Sequence, residues 1–201
     1  GPLDLTVLRG SATVVTGPNG VGKSTLALTL AGLLPELAGE VIAAPDLAGR
    51  TGRRPSRWTS RELLTRIGTV FQEPEHQFLA STLREELAVG PRALRMPTAE
   101  VDAIVDELLE HLDLASLAEA HPFTLSGGQK RRLSVATVLA SAPAVIVLDE
   151  PTFGQDRRGW SELVALLQRE IARGRSVVAV THDADVIRHL GQHRIRLEGA
   201  A

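Results

Sequence analysis

Ala12-Thr13-Val14-Val15-Thr16-Gly17-Pro18-Asn19-Gly20-Val21-Gly22-Lys23-Ser24-Thr25 runs from a short β-branched stretch through a glycine-rich loop into a helical segment. The run Gly17 to Thr25 fits G-x-x-x-x-G-K-[ST] at every fixed position, and the strand–loop–helix context is the one in which that pattern binds phosphate. Glycines at 17, 20 and 22 let the backbone turn its N–H groups inward toward phosphate oxygens. The helix that follows brings its positive N-terminal end to the same point. Lys23 adds a mobile point charge for the β- and γ-phosphates, and the Ser24 hydroxyl is a ligand for Mg²⁺. Gly17, Pro18, Asn19, Gly20, Val21, Gly22, Lys23, Ser24 and Thr25 are therefore the expected nucleotide-binding residues.

Downstream, Val145-Ile146-Val147-Leu148 is an apolar run of the kind buried on both faces of a parallel sheet, and it delivers Asp149 and Glu150 to its end. Open α/β sheets bind ligands at the carboxyl ends of their strands. Asp149 is expected to hold Mg²⁺ through its water shell, and Glu150 to polarise the attacking water as general base. His182 follows another β-rich run, Val177 to Thr181, and is placed along the same edge to donate a hydrogen bond to the γ-phosphate. His189 and His193 are spaced i,i+4, but with no third ligand they read as a solvated helix end rather than a metal pair.

The rest of the chain fills in an α/β pattern. A helix is expected over residues 23–34, strands over 40–44 and 68–71, a helical block over 75–139, a helix over 159–173, a strand over 176–181, a helix over 183–190 and a last strand over 194–197. Within the helical block, Val101, Ile104, Val105, Leu108, Leu109 and Leu112 recur at the helix period with acids between them, a core stripe. Residues 45–58 hold Pro, Gly and four arginines and read as a solvated loop, with a basic contact to lipid headgroups or a partner as the open alternative.

The bulk numbers restrict the setting. The 201 residues carry a net charge of −2, so nucleic acid is not the expected partner, and there is no cysteine for disulfides or thiolate metal sites. No apolar run approaches the roughly 18–20 residues that span a bilayer. A role at a membrane is expected to be peripheral.

Leu125-Ser126-Gly127-Gly128-Gln129 narrows the class. Together with the phosphate loop, Leu148-Asp149-Glu150 and Thr181-His182 in this order, the chain resembles an ATP-binding-cassette (ABC) ATPase over nearly its whole length. The resemblance implies a P-loop NTPase with a RecA-like parallel-sheet core, residues 1–74 and 136–201, and an inserted α-helical subdomain, residues 75–135. It implies ATP and Mg²⁺ as cofactors and a head-to-tail dimer, homo- or heteromeric. In that dimer, ATP on the Lys23 loop of one subunit is capped by Ser126, Gly127, Gly128 and Gln129 of the other. Gln72 matches the family's glutamine loop, which touches Mg²⁺ or the attacking water, and residues 152–156 match the loop that crosses the dimer interface. The physical logic is independent of the family: a Ser-Gly-Gly turn opening a helix is a second anion site, and ATP held between protomers uses both.

A narrower likeness lies in Phe71-Gln72-Glu73-Pro74-Glu75-His76-Gln77-Phe78, in Glu85-Glu86-Leu87-Ala88-Val89-Gly90-Pro91 and in Pro151 to Asp156. These are similar to the ATPases of energy-coupling-factor (ECF) and cobalt-type importers. The likeness implies a second ATPase subunit, a transmembrane coupling subunit, a substrate-binding membrane protein, and work at the cytoplasmic face of the membrane to import a vitamin, vitamin precursor or metal ion. The alternative is a soluble family member acting in translation or DNA maintenance. Two departures stand out. The 16 residues before Gly17 contain no aromatic to stack on adenine, so the family's N-terminal antiparallel β part is expected to be truncated and nucleotide binding weakened. Gln155 stands where many relatives have leucine.

Overall fold

In the computed structural model, which describes residues 3–198, five strands form one sheet. They are β1 (Ala12–Thr16), β2 (Ile67–Val70), β3 (Val145–Asp149), β4 (Ser176–Val180) and β5 (His193–Arg196), in the spatial order β2-β3-β4-β1-β5. Every pairing is parallel. All the strands therefore end on one side of the sheet, the side where α/β folds place ligands.

The helices are α1 (Lys23–Leu30), α2 (Pro45–Ala48), α3 (Ser60–Arg66), α4 (Leu83–Ala93), α5 (Thr98–His111), α6 (Gly127–Ala140), α7 (Arg157–Ala172) and α8 (Ala184–Leu190). They cover both faces. Ile146, Leu148, Val177 and Ala179 join Val14 on one face in a core with Leu87, Leu109, Leu133, Leu163 and Val186 from α4 to α8. Val147, Val178 and Val180 point the other way, onto Ala27 of α1, Ala48 of α2 and Trp58. The strict alternation within β3 and β4 is the two-residue period of a strand buried on both sides.

The structure departs from four expectations. Residues 40–44 are not a strand. The N–H groups of Val41 and Ala43 are taken by the Glu36 carboxylate and the Arg53 carbonyl, so the segment is tied to a loop and not to a sheet edge. Residues 45–58 are not a solvated loop. They form α2 and a 3₁₀ turn (Pro55–Arg57), and bury Ala48, Pro55 and Trp58, with the Arg66 guanidinium 5.0 Å over the indole. The arginines there hid three apolar anchors. The first helix ends at Leu30, not 34: Gly32 takes φ +74°, and the N–H groups of Leu33 and Leu34 both turn back to the Leu28 carbonyl. His193 also lies in β5, and His189 hydrogen-bonds the Asp185 carbonyl, so the two are not neighbours on one helix.

Candidate functional site

Strand order decides which functional residues meet. Because β2 and β3 are neighbours, the segment leaving Val70 lies beside Asp149. Because β3 and β4 are neighbours, Glu150 lies beside Thr181 and His182. Ser24, Gln72 and Asp149 line one cavity of about 440 Å³, together with Phe71, Glu73, His76 and the apolar side chains of Ala27, Leu28 and Val147. One hydroxyl, one amide and one carboxylate suit Mg²⁺, which keeps several waters and phosphate oxygens among its six ligands instead of an all-protein cage. No group of three His, Asp or Glu side chains fit to hold a metal exists among the described residues.

The phosphate loop is open for an anion. α3, α4, α6, α7 and α8 each have a side-chain cap, from Thr59, Thr82, Ser126, Asp156 and Asp183. α2 and α5 also lack one but each carries an acid in its first turn, whereas α1 has no cap, is preceded by Gly22 at φ 100°, and carries no acid there. Its leading N–H groups are thus left to a ligand. Gly17 is required twice over, by φ +151° and because a Cβ there would stand 2.5 Å from the Leu197 carbonyl oxygen. Lys23 folds over the loop, its Nζ donating to the carbonyls of Gly17 at 3.0 Å and Pro18 at 2.9 Å.

Glu150 is held on three sides. Its N–H donates to the Val180 carbonyl at 2.9 Å, extending the β3–β4 ladder by one residue. Its Oε2 accepts from the Thr181 hydroxyl at 3.1 Å, and its Oε1 lies 2.7 Å from His182 Nδ1. The backbone pays with φ 48°, a left-handed conformation unusual for a non-glycine residue and a common mark of functional sites. His182 differs from expectation in one respect. With Nδ1–H given to Glu150, the neutral ring offers Nε2 as an acceptor, so donation to phosphate requires the imidazolium or a turned ring.

Ser126 and Gln129 form a capping box at the start of α6, the Ser126 hydroxyl accepting from Gln129 N–H and the Gln129 amide oxygen accepting from Ser126 N–H. The hydroxyl keeps its own proton to donate. Among the described residues, the hydrogen bonds of this turn run to one another, to the Lys130 N–H of its own helix and to Gln155, and none reaches the phosphate loop.

Two supporting residues had no strong sequence signal. Arg131, 3% exposed, points inward from α6 and donates to the carbonyls of Phe71 at 2.6 Å, Gln72, and Asp149 at 3.4 Å. Burial lowers its pKa, and the carboxylates of Asp149 and Glu150 oppose that shift. In the sequence it was one of three basic residues on a helix. Arg131→Met keeps the length and removes the carbonyl bonds. Stability should fall by about 1–3 kcal/mol, because the carbonyls of Phe71, Gln72 and Asp149 lose their donor. Turnover should drop at least about tenfold at unchanged nucleotide affinity, if Arg131 holds the Gln72 backbone. Steady-state kinetics with a thermal melt checks both.

Asp183 is the second. Its Oδ2 accepts from Thr152 Oγ1 and Trp160 Nε1, both at 2.9 Å, and its Oδ1 caps α8 through the N–H groups of Asp185 and Val186. Burial pushes its pKa up, but the four donors outweigh it and hold the carboxyl below its ordinary value. A depressed carboxyl stabilises the fold above its unfolded pKa, about 3.9, and loses that contribution as pH falls through the lower folded value. Asp183→Ala should cost about 2–3 kcal/mol at neutral pH, a lost cap plus two hydrogen bonds to a charged acceptor. The deficit should shrink below about pH 4, which urea melts at two pH values would reveal.

The ABC transporter family pattern matches residues 1–153. The chain belongs to the ABC transporter family. The cassette is 41% identical over 185 residues to the putative HMP/thiamine import ATP-binding protein YkoD of Bacillus subtilis, covering 92% of this chain and 32% of that protein. It is 36% identical to the cobalt import ATP-binding protein CbiO of Rhodobacter capsulatus, over 99% of this chain and 72% of the relative. It is 37% identical to the energy-coupling factor transporter ATP-binding protein EcfA of Methanocaldococcus jannaschii, over 92% and 64%. The chain thus spans about a third of one of these relatives and about two thirds of the other two. Among solved structures, the cassette matches the dimeric post-hydrolysis state of the ATP-binding cassette MJ0796 bound to ADP and Pi, with TM-score 0.84 and 29% identity over 98% of this chain and 86% of that one. It also matches cbiO1 from Clostridium perfringens, part of the ABC transporter complex cbiONQ, with TM-score 0.78 and 28% identity over 99% and 79%.

Proposed function

We propose that this cassette is the ATP-binding and hydrolysing subunit of an ECF-type importer. It works as one half of an ATP-bridged dimer, at the cytoplasmic face of the membrane, beside a transmembrane coupling subunit and a substrate-binding membrane protein. The observation that carries the enzymatic part is the convergence of Ser24, Gln72 and Asp149 on one cavity at the strand ends. The transport part rests on relatives named for HMP/thiamine import, for cobalt import and as an energy-coupling factor transporter. No helix among the described residues is long and apolar enough to cross a membrane.

Each residue then has a role. The α1 N-terminus and Lys23 bind the phosphates. Ser24, Asp149 and Gln72 would hold Mg²⁺, which supplies charge neutralisation across the phosphates when bound. Glu150, oriented by Thr181 and His182, takes the proton of the attacking water. Ser126 to Gln129 cap the partner's nucleotide, and hydrolysis releases the two protomers. The helical segment 75–135 carries the capping turn against the core formed by 1–74 and 136–201. The division at 135/136 falls inside α6, so that helix belongs to both parts.

The test has two arms. Lys23→Ala should weaken nucleotide binding at least about 30-fold, the equivalent of about 2 kcal/mol for a lost charge-assisted contact, as measured by titration with a fluorescent ATP analogue. Affinity capture of the full-length protein from detergent-solubilised membranes should bring down a multi-spanning coupling protein and a small second membrane protein. Recovery of soluble partners alone would overturn the importer assignment while leaving the ATP site intact.

A further inference from the structure

We propose that Gln155 is a positioning residue that ties the Ser126–Gln129 turn to Glu150, so that displacing the turn displaces the carboxylate's supports. The inference rests on the roles proposed above for that turn and for Glu150, and adds the residue that joins them.

The Gln155 side chain is clamped between two elements. Its Nε2 donates to the Gly128 carbonyl at 3.0 Å, and its Oε1 accepts from Arg132 Nη1 at 3.3 Å. Arg132 is itself anchored, its Nε donating to the Leu112 carbonyl at 3.0 Å. This sets the amide's orientation without ambiguity. A guanidinium only donates and a carbonyl only accepts, so the oxygen must face Arg132 and the nitrogen Gly128. A leucine of similar size could make neither bond.

The surrounding glycines fit the clamp. A Cβ on Gly159, at the start of α7, would stand 2.5 Å from Arg132 Nη1 and 2.6 Å from Gln155 Oε1, so that glycine leaves the room in which the two side chains meet. A Cβ on Gly128 would come within 3.2 Å of the Gly154 carbonyl oxygen, which shows how closely the turn lies on the 152–156 loop.

From Gln155 a continuous set of bonds leads back to Glu150. Gln155 N–H donates to the Thr152 carbonyl at 3.2 Å. Thr152 Oγ1, buried, donates to Asp183 Oδ2 at 2.9 Å. Asp183 N–H donates to Thr181 Oγ1 at 3.1 Å, and that hydroxyl donates to Glu150 Oε2 at 3.1 Å. A second, shorter link is Phe153 N–H to the Glu150 carbonyl at 3.2 Å. Each member both receives and passes on a bond, so a shift at one end is resisted or transmitted rather than absorbed.

Hydrogen exchange of the nucleotide-free full-length protein tests the tie without any turnover. In Gln155→Leu, amides in 126–131 and in 150–153 should exchange at least about fivefold faster, while those of 17–30 keep the wild-type rate. Gly159→Ala, which pushes into the clamp from outside the loop and introduces a better helix former, should loosen the same two regions. Acceleration confined to 152–156, or none, overturns the proposal. With ATP, Gln155→Leu should lower kcat about tenfold at unchanged KM; a wild-type kcat overturns it as well. Failure of the proposed function is seen separately, as turnover insensitive to substitution of Glu150 or Ser126, and leaves the exchange result standing.

Discussion

Glu150→Gln lowers kcat by about two to four orders of magnitude, the range a general base contributes, and leaves ATP affinity within about twofold of wild type. The substitution is isosteric. The amide oxygen still accepts from Thr181 Oγ1, the backbone keeps its bond to Val180, and the amide N–H can donate to His182 Nδ1 once that ring takes the other tautomer, so the proton-accepting charge is the main loss. Removing a negative charge beside a polyphosphate adds no repulsion, so binding has no reason to weaken. If ATP joins the two protomers and hydrolysis parts them, the variant stays dimeric in ATP and Mg²⁺ while wild type returns to monomers. Gel filtration after incubation, with single-turnover kinetics, separates these states. Normal turnover in this variant would mean that the base lies elsewhere.

Ser126→Arg abolishes turnover and spares ATP binding. The side chain lost is the cap of α6, at a cost of about 1 kcal/mol and a melting shift of about 2–4 °C for a chain of this size. That is too little to unfold the protein. The new guanidinium fills the space before the Gly127–Gly128 turn, where the partner's phosphates are proposed to sit. No bond of this turn reaches the phosphate loop of its own chain, so the affinity measured by titration should stay within about threefold. Loss of nucleotide binding in this variant would show that the turn acts on ATP in its own subunit and would end the composite-site proposal.

Much of the architecture was legible in local chemistry. Ala12–Thr16 ends where the glycine loop begins because β-branched residues favour the strand and Gly17 alone tolerates both its φ and the nearby Leu197 carbonyl. The burial of β3 and β4 on both faces follows from apolar runs bounded by polar residues, and the capping box at Ser126 from Ser-Gly-Gly-Gln spacing. Where local signals misled, a tertiary contact had won. The arginine-rich 45–58 segment folds because Trp58, Pro55 and Ala48 find a shared core, and 40–44 stays irregular because its donors are taken from outside the sheet.

The residues that bear chemistry were therefore identifiable one by one: the phosphate loop, Asp149 and Glu150, His182, and the turn at Ser126 each announce themselves through side-chain type and spacing. Their mutual placement was not. Glu150 meets Thr181 and His182 because β4 inserts beside β3, and Ser24, Gln72 and Asp149 share a cavity because β2 lies on β3's other side. The bonds that join these parts, through Arg131, Asp183 and Gln155, involve carbonyls and carboxylates up to 60 residues away along the chain. Periodicity and motif spacing describe neighbours along the chain. Which strand lies beside which is chosen by burying two apolar faces at once, a property of the whole fold.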